Sequence, residues 1–159
     1  MVARQQCEQT SPRGRSLFNP PLNPRDYFNE LERLSMMIQN ALMCLALNIY
    51  HEGRGEPLEG QIAIAMVTMN RASWDTASVC EVVYEEKQFS WTHRLDDFTP
   101  QEPAAWAVAR RLAQRVIEGH HDDITEGATH FHTRAVRPIW RHSLKKVKTI
   151  GAHVFYVQR

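Results

Sequence analysis

The sequence predicts an α+β fold, mostly helical with a small antiparallel β-sheet near the C-terminus. Two observations carry this expectation. Apolar residues recur at spacings of three and four through most of the chain. Near the end the texture changes to ATHFHT (128–133) and HVFYV (153–157), short runs rich in β-branched and aromatic residues. The length of 159 residues fits one domain. Residues 1–22, rich in Pro, Ser, Arg and Gln, read as a flexible tail, and 23–159 as a single domain.

The elements follow in order. Asn23 as a cap, Pro24 at the first helical position and Asp26 in the first turn open a long helix. Leu31, Leu34, Ile38, Leu42, Leu45 and Ile49 give it one apolar stripe, expected to be buried. Gly53 and Gly55 end it, and Pro57 starts a second helix with Ile62, Ala65, Met66 and Met69 inward. Residues 78–85 suggest a short helix and 86–98 an aromatic loop. Thr99-Pro100-Gln101-Glu102 has the form of a capping box, opening a helix through Trp106, Ala109, Leu112, Ala113 and Val116 to Gly119. There is no internal repeat.

Composition narrows the function classes. The hydrophobic fraction of 43% supports a real core, and a net charge of +1 argues against a dedicated nucleic-acid binder. No acid follows Glu126, whereas Arg134, Arg137, Arg141, Lys145, Lys146, Lys148 and Arg159 do. That basic run reads either as a solvated face or as an attraction for a polyanion such as wall carboxylates. Cys7, Cys44 and Cys80 are odd in number and without CxxC spacing, so no disulfide framework is expected, and Cys44 reads as a small core residue. No apolar run is long enough to span a membrane, and no apolar signal segment precedes the first helix.

The chemistry points to NIYHEGRGEPLEG, residues 48–60. Three residues past Ile49, Glu52 continues the core-facing stripe to the helix end. Partial desolvation and the negative pole of the helix both raise the pKa of a carboxyl placed there. A glutamic acid kept protonated near neutral pH is what glycosidic cleavage needs as its general acid. The plain alternative is a helix-end residue paired with Arg54. Glu59 complements the dipole of the second helix, and Glu56 is placed to cap it.

Several ordered blocks carry a resemblance. IYHEGRGEP (49–57), Gly60-Gln61, Val67 to Asn70-Arg71, QFSW (88–91), ATHFHT (128–133), Val136 to Trp140 and IGAHVFY (150–156) together resemble the SleB/CwlJ-like cell wall hydrolases, the spore-cortex-lytic type. The resemblance runs from about Leu42 to Tyr156 and departs at Gly53, where the family usually has alanine. It implies a lysozyme-like fold, peptidoglycan as substrate and Glu52 as the acid. It also implies Phe89, Ser90 and Trp91 along a sugar groove, with His132, Trp140 and Tyr156 as further substrate-binding residues.

A hydrolytic muramidase needs a second carboxylate, for which Glu56, Glu59, Asp96 and Asp97 are candidates without a compelling spacing. A lytic transglycosylase needs only one, and this is the expected reaction. His130 and His132 face one side of a strand and admit a rival, a zinc-dependent amidase, although no HExxH spacing is present. A non-catalytic wall-binding module is the other rival. The expected partner is bacterial peptidoglycan, met by a monomer without cofactor or metal, without nucleic acid and without stable membrane insertion. The expected setting is that of a phage endolysin, held in the cytoplasm of the producing cell and released to the wall through a separate holin.

Overall fold

The computed structural model describes residues 23–158; the tail expected over 1–22, with Cys7, lies outside them. Five helices precede three strands: α1 Pro24–Gly53, α2 Leu58–Arg71, α3 Val79–Tyr84, α4 Trp91–Arg94, α5 Pro103–Ile117, β1 His130–Thr133, β2 Lys145–Ile150 and β3 His153–Val157. The fold is α+β and lysozyme-like, with its small antiparallel sheet near the C-terminus.

Helix α1 starts as its cap predicts: the Asn23 side chain accepts from the backbone N–H groups of Arg25 and Asp26, with Pro24 and Asp26 in the first turn. Its apolar stripe divides in two. Leu45 and Ile49 are fully buried, but Leu31, Leu34 and Ile38 are exposed, because the other helices pack only on the C-terminal half of α1. Helix α2 is the pivot of the domain. Met66 and Met69 join α1, α3 and α5 in one core, while Ala63 and Val67 face Ala128, Ile150 and Phe155 of the sheet side. A helix buried on both sides has to be apolar nearly all round, and α2 is.

The start of α5 corrects the expected capping box. Thr99 does not cap a helix, because its N–H and hydroxyl both donate to Asp97 Oδ1 at 2.8 and 2.6 Å. The helix begins three residues beyond Pro100, at Pro103. The N–H groups of Gln101 and Glu102 donate to the Tyr50 hydroxyl at 3.0 and 3.1 Å, so a side chain from α1 anchors the segment leading into α5, whose N-cap Glu102 makes no side-chain cap bond.

Cys44 and Cys80 form a disulfide between α1 and α3, with Cα atoms 5.3 Å apart. This corrects the expectation of no disulfide: the partners are 36 residues apart, and only the packing of α3 on α1 brings them together.

The sheet order is β1-β3-β2, antiparallel throughout. Strand β2 was not expected. It occupies KKVKTI, whose lysines hide the alternation, and it makes part of the basic run a sheet edge. Alternation along β3 puts His153 and Phe155 on the face toward α2 and Tyr156 on the other.

Candidate active site

Glu52 sits in the last turn of α1 and lines a cavity of about 270 Å³. Helix α1 contributes Glu52 and α2 contributes Arg71. The segment before α4 supplies Gln88, Phe89 and Ser90, and the sheet supplies Phe131, His132, Thr133 and His153. A second cavity of about 360 Å³ adjoins it, sharing Arg71 and Gln88 and adding Asn70, Glu85, Thr129 and His130. The two together form a groove along the junction of helices and sheet.

The electrostatics at Glu52 follow from burial. Desolvation pushes its carboxyl above the usual range, opposed by the positive charges of Arg71 and then Arg94. Arg54, the expected alternative partner, turns elsewhere, donating to the Tyr50 hydroxyl at 3.0 Å and lying 3.3 Å from Glu102. Arg71 is fixed on two sides. Its Nε donates to Thr129 O at 2.6 Å, and its guanidinium lies 5.1 Å from the centre of the Phe89 ring. Beside it, Asn70 Nδ2 donates to Asp123 Oδ2 at 2.9 Å and to Ala128 O at 3.0 Å, tying the end of α2 to the lead into β1.

The other carboxylates proposed from sequence do not line the Glu52 cavity. The Glu56 side chain, only 12% exposed, accepts from the Ala152 N–H at 2.8 Å and approaches His153 Nδ1 at 3.6 Å. It straps the α1–α2 turn to the β2–β3 turn rather than capping α2. Asp97 is held by Thr99, Asp96 borders a separate apolar hollow with Phe98 and Trp106, and Glu59 is exposed in the first turn of α2.

Of the residues expected at the sugar groove, Phe89, Ser90 and His132 line the cavity. Trp91 lies beneath it, buried, its Nε1 donating to Asn48 Oδ1 at 2.9 Å and its ring stacked on His51 at 4.5 Å. Trp140 and Tyr156 lie on the opposite face of the sheet from His153, their rings 5.6 Å apart. His130 and His132 do share a side, each ring about 5.5 Å from Trp140. Their nitrogens are engaged. His132 Nδ1 donates to Thr133 O at 2.8 Å, so its Nε2 accepts from the Tyr156 hydroxyl at 2.9 Å; His130 Nδ1 meets Thr129 Oγ1 at 2.9 Å. Among the described residues no group of three or more His, Cys, Asp or Glu side chains converges as a metal site would require.

The sequence reading gave no role to His153, Arg71, Gln88 or Glu85. The signal for His153 was the two-residue alternation of HVFYV, which separates it from Tyr156. Arg71 lay at the end of α2, and nothing local marked it as facing Glu52.

The site is thus a single desolvated carboxyl in a groove of a lysozyme-like scaffold. The chain belongs to the cell wall hydrolase family, matching it over residues 55–156, a segment that opens three residues after Glu52. It is 33% identical over 118 residues to the spore cortex-lytic enzyme of Bacillus subtilis, covering 73% of this chain and 37% of that one. To the spore cortex-lytic enzyme of Halalkalibacterium halodurans it is 32% identical over 120 residues, covering 73% and 34%. The chain thus spans roughly a third to under half of the curated relatives it matches. Among solved structures it resembles the catalytic domain of Bacillus cereus SleB (TM-score 0.60, 29% identity, 75% of this chain and 91% of that). It also resembles that of the germination-specific lytic transglycosylase SleB from Bacillus anthracis (TM-score 0.59, 28% identity, 75% and 95%).

Proposed function

We propose that this domain cleaves peptidoglycan between N-acetylmuramic acid and N-acetylglucosamine as a lytic transglycosylase, with Glu52 as its acid. The observation that carries the reading is that Glu52 is the sole carboxylate among the described residues lining its cavity. Burial raises its pKa and so favours the protonated form, which can give its proton to the glycosidic oxygen as the bond to muramic C1 breaks. Arg71 and Arg94 then favour the carboxylate that forms. The muramic C6 hydroxyl attacks C1 of its own ring and its proton returns to Glu52, leaving a 1,6-anhydro product with no water consumed. Phe89 and Ser90 supply an apolar floor and a hydroxyl for the sugar. The lytic transglycosylase named among the structural neighbours supports the same reaction.

One observation favours hydrolysis as the second reading: Glu85 lines the adjoining cavity across Arg71, and could hold a water if the sugar ring spans both. Mass spectrometry of purified peptidoglycan digested by wild type and by Glu52→Gln decides between them. Muropeptides lighter by one water, absent with the variant, support transglycosylation. Ordinary reducing ends support a muramidase, and freed stem peptides would overturn both. The setting we propose is host lysis as an endolysin, stored in the cytoplasm and released through a holin. Lysis of producing cells only on holin co-expression tests it.

A further inference from the structure

Two buried side-chain nitrogens among the described residues lack a hydrogen-bond partner, Arg71 Nη1 and His153 Nδ1, and both belong to residues lining the Glu52 cavity. The His153 side chain is 4% exposed. Its Nδ1 points at Glu56, whose Oε1 is 3.6 Å away and whose other oxygen is held by the Ala152 N–H. Room for that carboxylate is built into the backbone. A Cβ on Gly60 would come within 3.2 Å of Glu56 Oε2, and one on Gly151 would overlap that oxygen. Two glycines and one backbone donor therefore fix Glu56 in a single place, with the His153 Nδ1 facing its free oxygen.

With Nδ1 turned to the carboxylate, the nitrogen left on the other side of the ring is Nε2, on a residue that borders the cavity. We propose that His153 is a second proton-handling residue of this site, with Glu56 as the positioning residue that sets its tautomer. The inference rests on Glu52 being the acid of a glycosidic cleavage. Nδ1 keeps its proton on Glu56, and Nε2 accepts a hydrogen bond from the attacking hydroxyl. As the C6 oxygen bonds to C1 and the C1–leaving-group bond breaks, Glu52's proton goes to the leaving oxygen and the hydroxyl proton to Nε2. The imidazolium is held by Glu56 until its proton passes through water to the Glu52 carboxylate, which restores both residues. A carboxylate that orients a histidine and stabilises its cation is the logic of hydrolase triads.

The groups facing His153 are Glu56 from the α1–α2 turn, His132 from β1, and Glu52 and Arg71 across the cavity; Phe131 and Phe155 present rings. Burial draws its pKa below 6.5, Glu56 pulls it up and His132 pulls it down, so the ring is neutral and able to accept a proton at pH 7.

The test is the pH profile of kcat/KM for wild type, His153→Gln and Glu56→Gln on purified peptidoglycan, with the histidine tautomer read by nitrogen NMR on ¹⁵N-labelled wild type. The wild type should lose activity on the acid side, at a pH below 6.5. His153→Gln should lower kcat about 100-fold with little change in KM and abolish that acid limb. Glu56→Gln keeps an acceptor for Ala152 but removes the charge that raises the His153 pKa, so its limb should move to lower pH. A purely structural strap would change melting temperature and leave the limb in place. An unchanged limb in either variant, or a His153 ring carrying its proton on Nε2, overturns the proposal; the NMR readout requires no variant to fold. Product masses and Glu52→Gln report separately on the underlying reaction.

Discussion

Replacing Gly151 with alanine tests the strap between the two turns. Gly151 has φ +57°, a conformation that costs a residue with a Cβ roughly 1–2 kcal/mol. The added Cβ would also overlap Glu56 Oε2, so the carboxylate has to leave the Ala152 N–H. Losing a buried hydrogen bond to a charged group costs about 1.5–3 kcal/mol more. The sum is roughly 2.5–5 kcal/mol, a fall in melting temperature on the order of 10 °C for a domain of this size. Gly119 supplies the internal control. It has φ +74° with no atom within 4 Å of its virtual Cβ, so Gly119→Ala carries the backbone cost alone, about 1–2 kcal/mol. Urea and thermal denaturation of both variants measure the difference. In a Glu56→Ala background Gly151→Ala should cost no more than Gly119→Ala. Equal losses for the two glycine variants, or additivity with Glu56→Ala, would refute the reasoning.

Three further outcomes follow from the site and the core. Glu52→Gln should lower the rate roughly 10²–10⁴-fold. It should also raise the melting temperature at pH 7. A carboxyl whose folded pKa is raised opposes folding once ionised, so the gain should vanish below about pH 4.5, the unfolded value; a variant less stable than wild type at pH 7 contradicts the burial of Glu52. His51, His130 and His153 are all pulled below 6.5 by burial, so the unfolded chain takes up protons first. Stability should be full above pH 6.5 and decline as pH falls toward the folded values, most cleanly in Glu52→Gln, and melts that rise between pH 7.5 and 5.5 would contradict it. Reducing the Cys44–Cys80 bridge, which spans 36 residues, should cost about 3–4 kcal/mol, read as a drop in melting temperature with reductant that Cys44→Ala/Cys80→Ala does not show.

What the sequence made legible was local. The Asn23 cap, the place where α1 ends, the start of α2 and the phase of Glu52 all rest on interactions within a few residues and stand as read, although the C-cap of α1 is Arg54 in a right-handed conformation rather than a glycine. The misreadings involve partners distant in the chain. The lead into α5 is anchored by Tyr50, more than fifty residues back, and the helix starts beyond the nearer Thr99 signal, which misled. Strand β2 is defined by pairing with β3, and its lysines give no alternation to detect. The exposed half of α1 has the same apolar period as the buried half, because periodicity states which face is apolar and says nothing of what covers it. In the site, Phe89 and Ser90 reach the cavity, but whether an aromatic residue lies under the groove, as Trp91 does, or behind the sheet, as Trp140 does, is fixed only by tertiary contacts.

The two glutamates of the opening turn show how four residues of separation can assign opposite duties. Both leave the end of α1 and both are largely shielded from water, so burial alone does not distinguish them. The difference lies in what meets each carboxylate. Glu56 finds the Ala152 N–H, the His153 ring and the space left by Gly60 and Gly151, and a side chain so placed serves as a strut between the two turns. Glu52 meets the wall of an open cavity and the distant charges of Arg71 and Arg94, with no hydrogen bond to its carboxylate from any described residue. Such a group gains from keeping its proton until something in the cavity can receive it. The shortness of the turn makes both fates possible: only four residues separate the end of α1 at Gly53 from the start of α2 at Leu58, and Glu56, among them, is aimed at the sheet. Lengthening the turn by a residue would separate the strut from the β2–β3 turn while leaving Glu52 on its helix. That change should weaken the fold and shift the His153-linked pH limb without removing the acid.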